Sequence, residues 1–256
     1  MRLRDSLIAA TLMTSTLITG LARPLPPAAI DRSDCADDAL RPSAPARIMV
    51  PLPSELISDD KVLESVYYNT LAILSTSNSC SNFFGGPATS TEVFGLLMRQ
   101  VRKDFLSPAI AMRMHGQTIN AKNTRLNAHY RLFTKVSINT NGPFFRKANF
   151  RSERTIFGVG TFGPNTREVR LLILLHELGH LIQGQDGNWL LPDDGGNEQL
   201  SRGNSLKIEK VCGEQISSVS NGDALKNLAL RNQADEKLAL DSNHSERSPI
   251  ESATNH

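Results

Sequence analysis

The sequence has few of the residues that often reveal a function by themselves. It contains only 3 cysteines in 256 residues, and no two of them are close together. This excludes a structural zinc knuckle, because an all-thiolate site needs more cysteines and a mixed site needs a closely spaced cysteine pair. The formal net charge is only +2, which excludes a strongly basic surface for nucleic acid.

The chain also has little that could remain in a membrane. Its N-terminal apolar run, Leu7 to Leu21, is short and interrupted by Thr and Ser. Arg2 and Arg4 precede this run, and Gly20-Leu21-Ala22 ends it with a small-x-small pattern. These features are typical of a cleaved export signal. We therefore expect a mature protein that is secreted or periplasmic, with no stable membrane insertion.

Composition divides the remaining chain into three parts. Residues 23–53 are rich in Pro, Ala and Asp, which predicts an extended arm or linker. Residues 54–218 contain the regular apolar patterns and are long enough for one domain with a core. Residues 219–256 are polar and charged, which predicts a partly disordered tail.

The domain begins with helical patterns. Ser58 is a candidate N-cap for a helix whose apolar residues reach Leu74 and which ends near Cys80. Thr89 and Glu92 form the capping-box pattern of a second helix.

Short β-like runs follow the helical part. They lie at residues 110–114, 130–138 and 155–162, and turn-forming residues separate them. A last helix is predicted at about residues 204–217. The order predicts an α+β fold in which a small, mostly antiparallel sheet leads into an active-site helix, with further helices at both ends.

The cysteines predict a disulfide, because an oxidising compartment favours pairing. Cys35, Cys80 and Cys212 allow three different single bridges. We favour Cys80–Cys212, since both residues lie at the edges of predicted helices, whereas Cys35 lies in the Pro- and Asp-rich arm.

The strongest chemical signal is an H-E-x-x-H pattern formed by His176, Glu177 and His180. Residues four apart share one face of a helix, so both imidazoles can reach the same metal ion. Leucines around the motif follow helical spacing, and Gly179 allows another element to approach closely. The alternative is a pair of buried neutral histidines in ordinary hydrogen bonds. His115 and His129 have no correctly spaced partner and are interpreted as ordinary histidines.

Glu177 has the position of a general base. Zinc lowers the pKa of a bound water from about 16 towards 7, and a neighbouring carboxylate can take its proton as the water attacks a carbonyl. The pattern therefore predicts hydrolysis of an amide with one Zn²⁺ per chain.

The motif resembles the active-site helix of the zincin superfamily of metallopeptidases. The wider combination is similar to a set of exported bacterial proteins described as hypothetical, over residues 60–216. It comprises Cys80-Ser81-Asn82-Phe83-Phe84, Asn139-Thr140-Asn141-Gly142-Pro143-Phe144-Phe145, His176 to His180, Pro192-Asp193-Asp194-Gly195 and Cys212. The resemblance implies roles for His176, Glu177 and His180 alone.

Catalytic zinc needs a third protein ligand, for which two placements compete. Asp186 lies six residues after His180, which is the spacing used by zincins of the metzincin type. Asp194, or its neighbour Asp193, lies in a Pro-Asp-Asp-Gly-Gly turn that could return a carboxylate to the helix. Three glutamates remain as further alternatives: Glu198, Glu209 and Glu214.

The sequence thus predicts an exported zinc-dependent metallopeptidase that acts on a peptide or protein substrate. The run at residues 155–162 is a candidate strand for pairing with that substrate. The alternatives are a non-catalytic exported binding or structural protein on a zincin scaffold, and a zinc hydrolase of non-peptide amides such as those of the cell wall.

Overall fold

The computed structural model describes residues 50–147 and 157–219, together with residues 226, 229, 230, 233 and 234. The predicted export signal, Cys35, and most of the predicted arm and tail lie outside the described residues. Among the described residues, no helix combines the length and the apolar character needed to cross a membrane.

Four helices open the described part, where the sequence predicted two: α1 (Glu55–Asp59), α2 (Lys61–Leu74), α3 (Ser79–Phe83) and α4 (Pro87–Gln100). The helical character is confirmed, but the first predicted helix ends at Leu74 and not near Cys80, which lies in the separate helix α3. Two predicted helix starts are wrong. The carboxylate of Asp60, and not Ser58, caps α2 by accepting from the backbone N–H groups of Val62 and Leu63. Helix α4 begins at Pro87, whose fixed φ suits a first helical position.

The sheet has three strands, β1 (Val101–Asp104), β2 (Met112–Asn123) and β3 (Ala128–Asn139), in the order β1-β3-β2. The hairpin partners β2 and β3 are antiparallel, whereas β1 pairs with β3 in parallel. The sheet is therefore small, as predicted, but mixed. The short strand β1 follows α4 directly, and the sequence pattern gave no sign of it.

The predicted strand at residues 155–162 is wrong for its described part. Residues 157–162 form a tight turn in which the backbones of Val159 and Phe162 exchange two hydrogen bonds of 3.2 Å. Gly160 lies in this turn at a φ of 60°. The chain reverses here, so this segment offers no extended strand for a substrate.

Two long helices complete the fold, α5 (Arg167–Leu181) and α6 (Glu198–Ser218). Each begins at a polar N-cap whose side chain accepts a backbone hydrogen bond, Thr166 for α5 and Asn197 for α6. Helix α6 begins six residues before the predicted start at 204. Helix α5 is buried along most of its length, since it packs against α2, α4, α6 and the sheet.

A disulfide joins Cys80 on α3 to Cys212 on α6, as predicted, and both residues are fully buried. It connects the N-terminal helices to the last helix across 132 positions of sequence. The mixed sheet and α5 therefore lie within the covalent loop that this bond closes. The described residues form an α+β fold, which confirms the fold class expected from the sequence.

Candidate metal centre

Helix α5 presents His176, Glu177 and His180 as the sequence predicted. The two histidines are both 5% exposed, and their rings lie edge to face with centroids 4.8 Å apart. Their Nε2 atoms are 3.0 Å apart. One rigid helix therefore directs two nitrogen donors to a common point.

The chain after α5 does not bring Asp186 to the histidines. It forms a small hairpin in which Gln183 bridges to Trp189 and the backbone N–H of Gly184 donates to the carbonyl of Asn188. Asp186 lies at the exposed tip, where its carboxylate accepts two hydrogen bonds of 3.0 Å from Asn188. The carboxylate of Asp186 thus stabilises this turn.

Asp194 is the carboxylate that joins the histidines. Its Oδ2 lies 3.0 Å from Nε2 of His176, and its Oδ1 lies 3.7 Å from Nε2 of His180. His176, His180 and Asp194 thus form a group that could hold a metal ion. The sequence left two candidates for the third ligand. Of these, the structure places Asp194 close to the histidines of α5.

The spacing of these atoms fits a shared metal ion. Two donors at about 2.0–2.1 Å from one tetrahedral zinc ion lie about 3.3 Å apart. The observed separations of 3.0, 3.0 and 3.7 Å between the three donor groups scatter around this value. Two nitrogens and one carboxylate oxygen are also a donor set that zinc accepts in catalytic sites.

Helix α6 supports the group from the other side, which the sequence analysis missed. The hydroxyl of Ser205 lies 2.9 Å from Nδ1 of His176. Asn204 donates to the carbonyl of Pro192 at 3.0 Å and also to the carboxylate of Asp194. In the tautomer in which Nδ1–H of His176 donates to the Ser205 hydroxyl, the Nε2 atom has a free lone pair for a metal.

A sequence signal for this support does exist. Asn204 and Ser205 are 4% and 2% exposed, and they continue a helical stripe whose next members are Ile208 and Cys212. Polar residues inside a buried stripe need hydrogen-bond partners. Their position therefore indicates a polar site opposite α6, although it does not identify that site.

The surroundings of the site shift the pKa of Asp194 and that of Glu177 in opposite directions. Burial opposes ionisation of Asp194, but hydrogen bonds with His176 and His180 outweigh it and hold the pKa of Asp194 well below its usual range. Burial raises the pKa of Glu177, and the nearby charge of Asp194 adds to this, while the histidines oppose it. The pKa of His180 is raised because its bond to Asp194 outweighs the effect of burial.

Asp193, the other half of the Asp-Asp pair, turns away from the histidines. Its carboxylate accepts hydrogen bonds from the guanidinium of Arg131 on β3, one of them 3.1 Å long. Arg131 also donates to the backbone carbonyl of His180 at 2.7 Å. Arg131 could not be identified from the sequence, because its partners lie 49 and 62 residues away.

The remaining candidates do not belong to the group. Glu209, on α6, accepts from the backbone and the hydroxyl of Thr161 and so anchors the turn before α5. The metal-competent group found among the described residues also does not include Glu198, Glu214, His115 or His129. The interpretation of the last two as ordinary histidines thus remains compatible with the structure.

Comparison of the chain with protein-family models, with curated proteins and with solved structures finds no match. The chemistry of the site must therefore be argued from its own residues.

Proposed function

We propose that the protein is an exported zinc-dependent metallopeptidase. The observation that supports this most strongly is the convergence of His176, His180 and Asp194 beside a half-buried glutamate, Glu177. Three protein donors are typical of catalytic zinc, which keeps a fourth position for water or substrate, whereas structural zinc usually has four. The Asp194 side chain is 20% exposed, so the group is not sealed from solvent.

A zinc ion held by these residues would polarise the substrate carbonyl and lower the pKa of a coordinated water to about 7. Glu177 follows His176 on the same helix and, within the described part of the chain, has no hydrogen-bond partner of its own. Its carboxylate can therefore accept the proton of the attacking water. Its raised pKa helps it to hold that proton and pass it to the leaving amine nitrogen.

Other residues fix the positions of these groups. Ser205 sets the orientation of the His176 ring, and Asn204 holds one oxygen of Asp194. Both are buried, so their hydrogen bonds are protected from competition with water. Such supporting partners commonly change metal affinity about 10- to 100-fold.

Export is supported by the N-terminal pattern and by the buried disulfide. Disulfides persist in secreted and periplasmic proteins and are rare in the reducing cytosol. The Cys80–Cys212 bond is therefore typical of a protein that folds after export.

One observation favours a second candidate, a non-catalytic protein on the same scaffold. The chain of hydrogen bonds from Ser205 through His176 to Asp194 satisfies both ring nitrogens of His176 without a metal. The same chain has the composition of a serine hydrolase triad, but Ser205 is only 2% exposed and cannot reach a substrate. The choice is thus between a zinc centre and a metal-free polar cluster.

The metal content of the protein after dialysis against a weak chelator distinguishes the zinc centre from the metal-free polar cluster. We expect about one zinc per chain in the wild type, and none in His176→Ala or Asp194→Ala. Asp186→Ala is the matched control, because it removes an exposed aspartate from the neighbouring hairpin and should keep the metal. Folded wild-type protein without zinc would support the metal-free cluster.

The reaction needs a separate test, in which Glu177→Gln is compared with the wild type. Digests of a peptide library and of isolated cell wall should be analysed by mass spectrometry. The proposal expects peptide products from the wild type, none from Glu177→Gln, and equal zinc content in both. Cleavage of cell-wall amides alone would keep the zinc chemistry and change the substrate class.

A further inference from the structure

Arg131 is a buried cation close to the metal centre. It lies on β3 and is only 7% exposed, whereas most arginines are solvated. A buried charge is costly unless hydrogen bonds and an opposite charge compensate for it. The contacts that keep Arg131 inside therefore indicate what the residue holds in place.

Its guanidinium contacts two parts of the site at once. Nε donates to the carbonyl of His180, which belongs to the last turn of α5, at a distance of 2.7 Å. Nη1 and Nη2 both donate to the carboxylate of Asp193, the residue immediately before Asp194. The guanidinium carbon Cζ lies over the ring of Trp189, 4.3 Å from the ring centroid, where the same segment begins.

We infer that Arg131 is a positioning residue for the metal ligand Asp194 and that it sets the affinity of the site for a divalent metal ion. The inference rests on the proposed metal centre but not on peptidase activity. Arg131 fixes Asp193 against the end of α5, so the following carboxylate lies opposite the two histidines. Asn204 holds Asp194 from α6, and the two contacts approach the segment from different elements.

The fork of the guanidinium is essential to this role. It provides separate donors for the His180 carbonyl and for both oxygens of Asp193, and a flat face for Trp189. Lysine retains the charge but cannot supply this planar set of donors. Arg131→Lys should therefore behave like a loss of function and not like a conservative change.

The test measures the zinc dissociation constant by competition with a chromogenic chelator. We expect Arg131→Lys and Arg131→Met to weaken zinc binding about 10- to 100-fold, the usual range for residues that orient ligands. Asp193→Asn should weaken it as well. Because both residues act through one contact, the double variant Arg131→Met/Asp193→Asn should be scarcely weaker than Arg131→Met.

Arg170→Met is the matched control for a purely structural effect. Arg170 is a partly buried arginine in the first turn of α5, and it donates to the carbonyl of Phe144 at 2.8 Å. Its loss should lower the melting temperature while the zinc affinity stays within about twofold of the wild type, at least about fivefold below the change expected for the Arg131 variants. A merely structural role of Arg131 would give the same pattern.

The protein has a single tryptophan, so its fluorescence reports on this segment without any metal. Loss of the guanidinium over the indole ring should change the emission of Trp189 in Arg131→Met but not in Arg170→Met.

Several results would overturn the inference. Zinc affinity equal to that of the wild type in Arg131→Met and Asp193→Asn would do so while leaving the metal centre intact. If Arg131→Met fails to fold, Asp193→Asn decides alone, because its side chain is 64% exposed and its substitution is compatible with folding. Wild-type protein that binds no zinc would overturn both this inference and the proposed function.

Discussion

Replacing Gly179 with alanine tests whether the close packing on α5 holds the third ligand in place. The added methyl group would lie 2.6 Å from Cδ1 and 2.7 Å from Cγ of Leu191. Real Cβ contacts are not this short, and Leu191 is fully buried. The backbone N–H of Leu191 also donates to the carbonyl of Gly179 at 3.0 Å, so the segment around Leu191 contacts α5 directly here.

Two opposing terms decide the size of the effect. Alanine is favoured over glycine inside a helix by about 1 kcal/mol. Overpacking in a filled core costs about 1–3 kcal/mol. We therefore expect Gly179→Ala to lower the free energy of unfolding by up to about 2 kcal/mol. The displaced Leu191 would carry the segment of Asp194 with it, so zinc affinity should fall too.

The effect of Gly179→Ala on the free energy of unfolding should change sign when Leu191 is replaced by a smaller residue. In a Leu191→Ala background, itself destabilised by about 2–5 kcal/mol, the added methyl group has room, and Gly179→Ala should become stabilising by about 1 kcal/mol. Gly203→Ala is the control, since nothing lies within 4 Å of its added Cβ. Urea unfolding of all variants measures these differences. Stabilisation of the wild-type background by Gly179→Ala, with unchanged zinc affinity, would refute the packing argument.

Three further predictions follow from the disulfide, from the burial of Tyr67 and from the hydrogen bond of Ser205. Replacing Cys80 and Cys212 by alanine should lower the unfolding free energy by about 5 kcal/mol on the chain-entropy model for a loop of this size, as measured by urea unfolding without reductant. Burial raises the pKa of Tyr67, so its contribution to stability should be lost as the pH rises above about 10. Tyr67→Phe should remove this part of the alkaline slope, and an unchanged slope would contradict it. Ser205→Ala should weaken zinc binding about 10- to 100-fold in a chelator competition, although Ser205 contacts no metal. If Ser205→Ala binds zinc as tightly as the wild type, the Ser205 hydroxyl is not needed to orient the His176 ring.

The features that depend on short sequence distances could be predicted. Helix α5 and the shared face of His176 and His180 follow from helical periodicity alone. The close approach at Gly179 was also expected, and the structure assigns it to Leu191. The Cys80–Cys212 pairing spans 132 positions, but it could be favoured because each cysteine lies at the edge of a locally predicted helix.

The features that depend on distant residues could not be predicted. Asp194 is hydrogen-bonded to Asn204, and Leu191 of the same segment is hydrogen-bonded to Gly179 of α5; no local pattern encodes these contacts. Asp186 lies six residues after His180, the spacing of the third ligand in zincins of the metzincin type. In the structure, however, its carboxylate accepts hydrogen bonds from Asn188 in a turn. Hydrogen bonds within the local turn thus hold Asp186 at a position away from the histidines, although its spacing from His180 matches that of a zincin ligand.

The described part of the strand expected at residues 155–162, which is residues 157–162, is a turn for a related reason. Its composition favours extended structure, but Gly160 permits a reversal at positive φ and Glu209 anchors Thr161 from α6. Strand propensity reflects packing against neighbours more than backbone preference, and α6 supplies a different neighbour here.

The disulfide has a consequence for the fate of a cleaved chain. Cys80 and Cys212 enclose the sheet, its connecting turns and all of α5. A single proteolytic cut at an exposed turn in this region, such as the one at Asn127, would leave both fragments covalently joined. A protein nicked there would migrate as one species without reductant and as two species with it, so purity on a reducing gel and integrity of the fold are separate questions for this molecule.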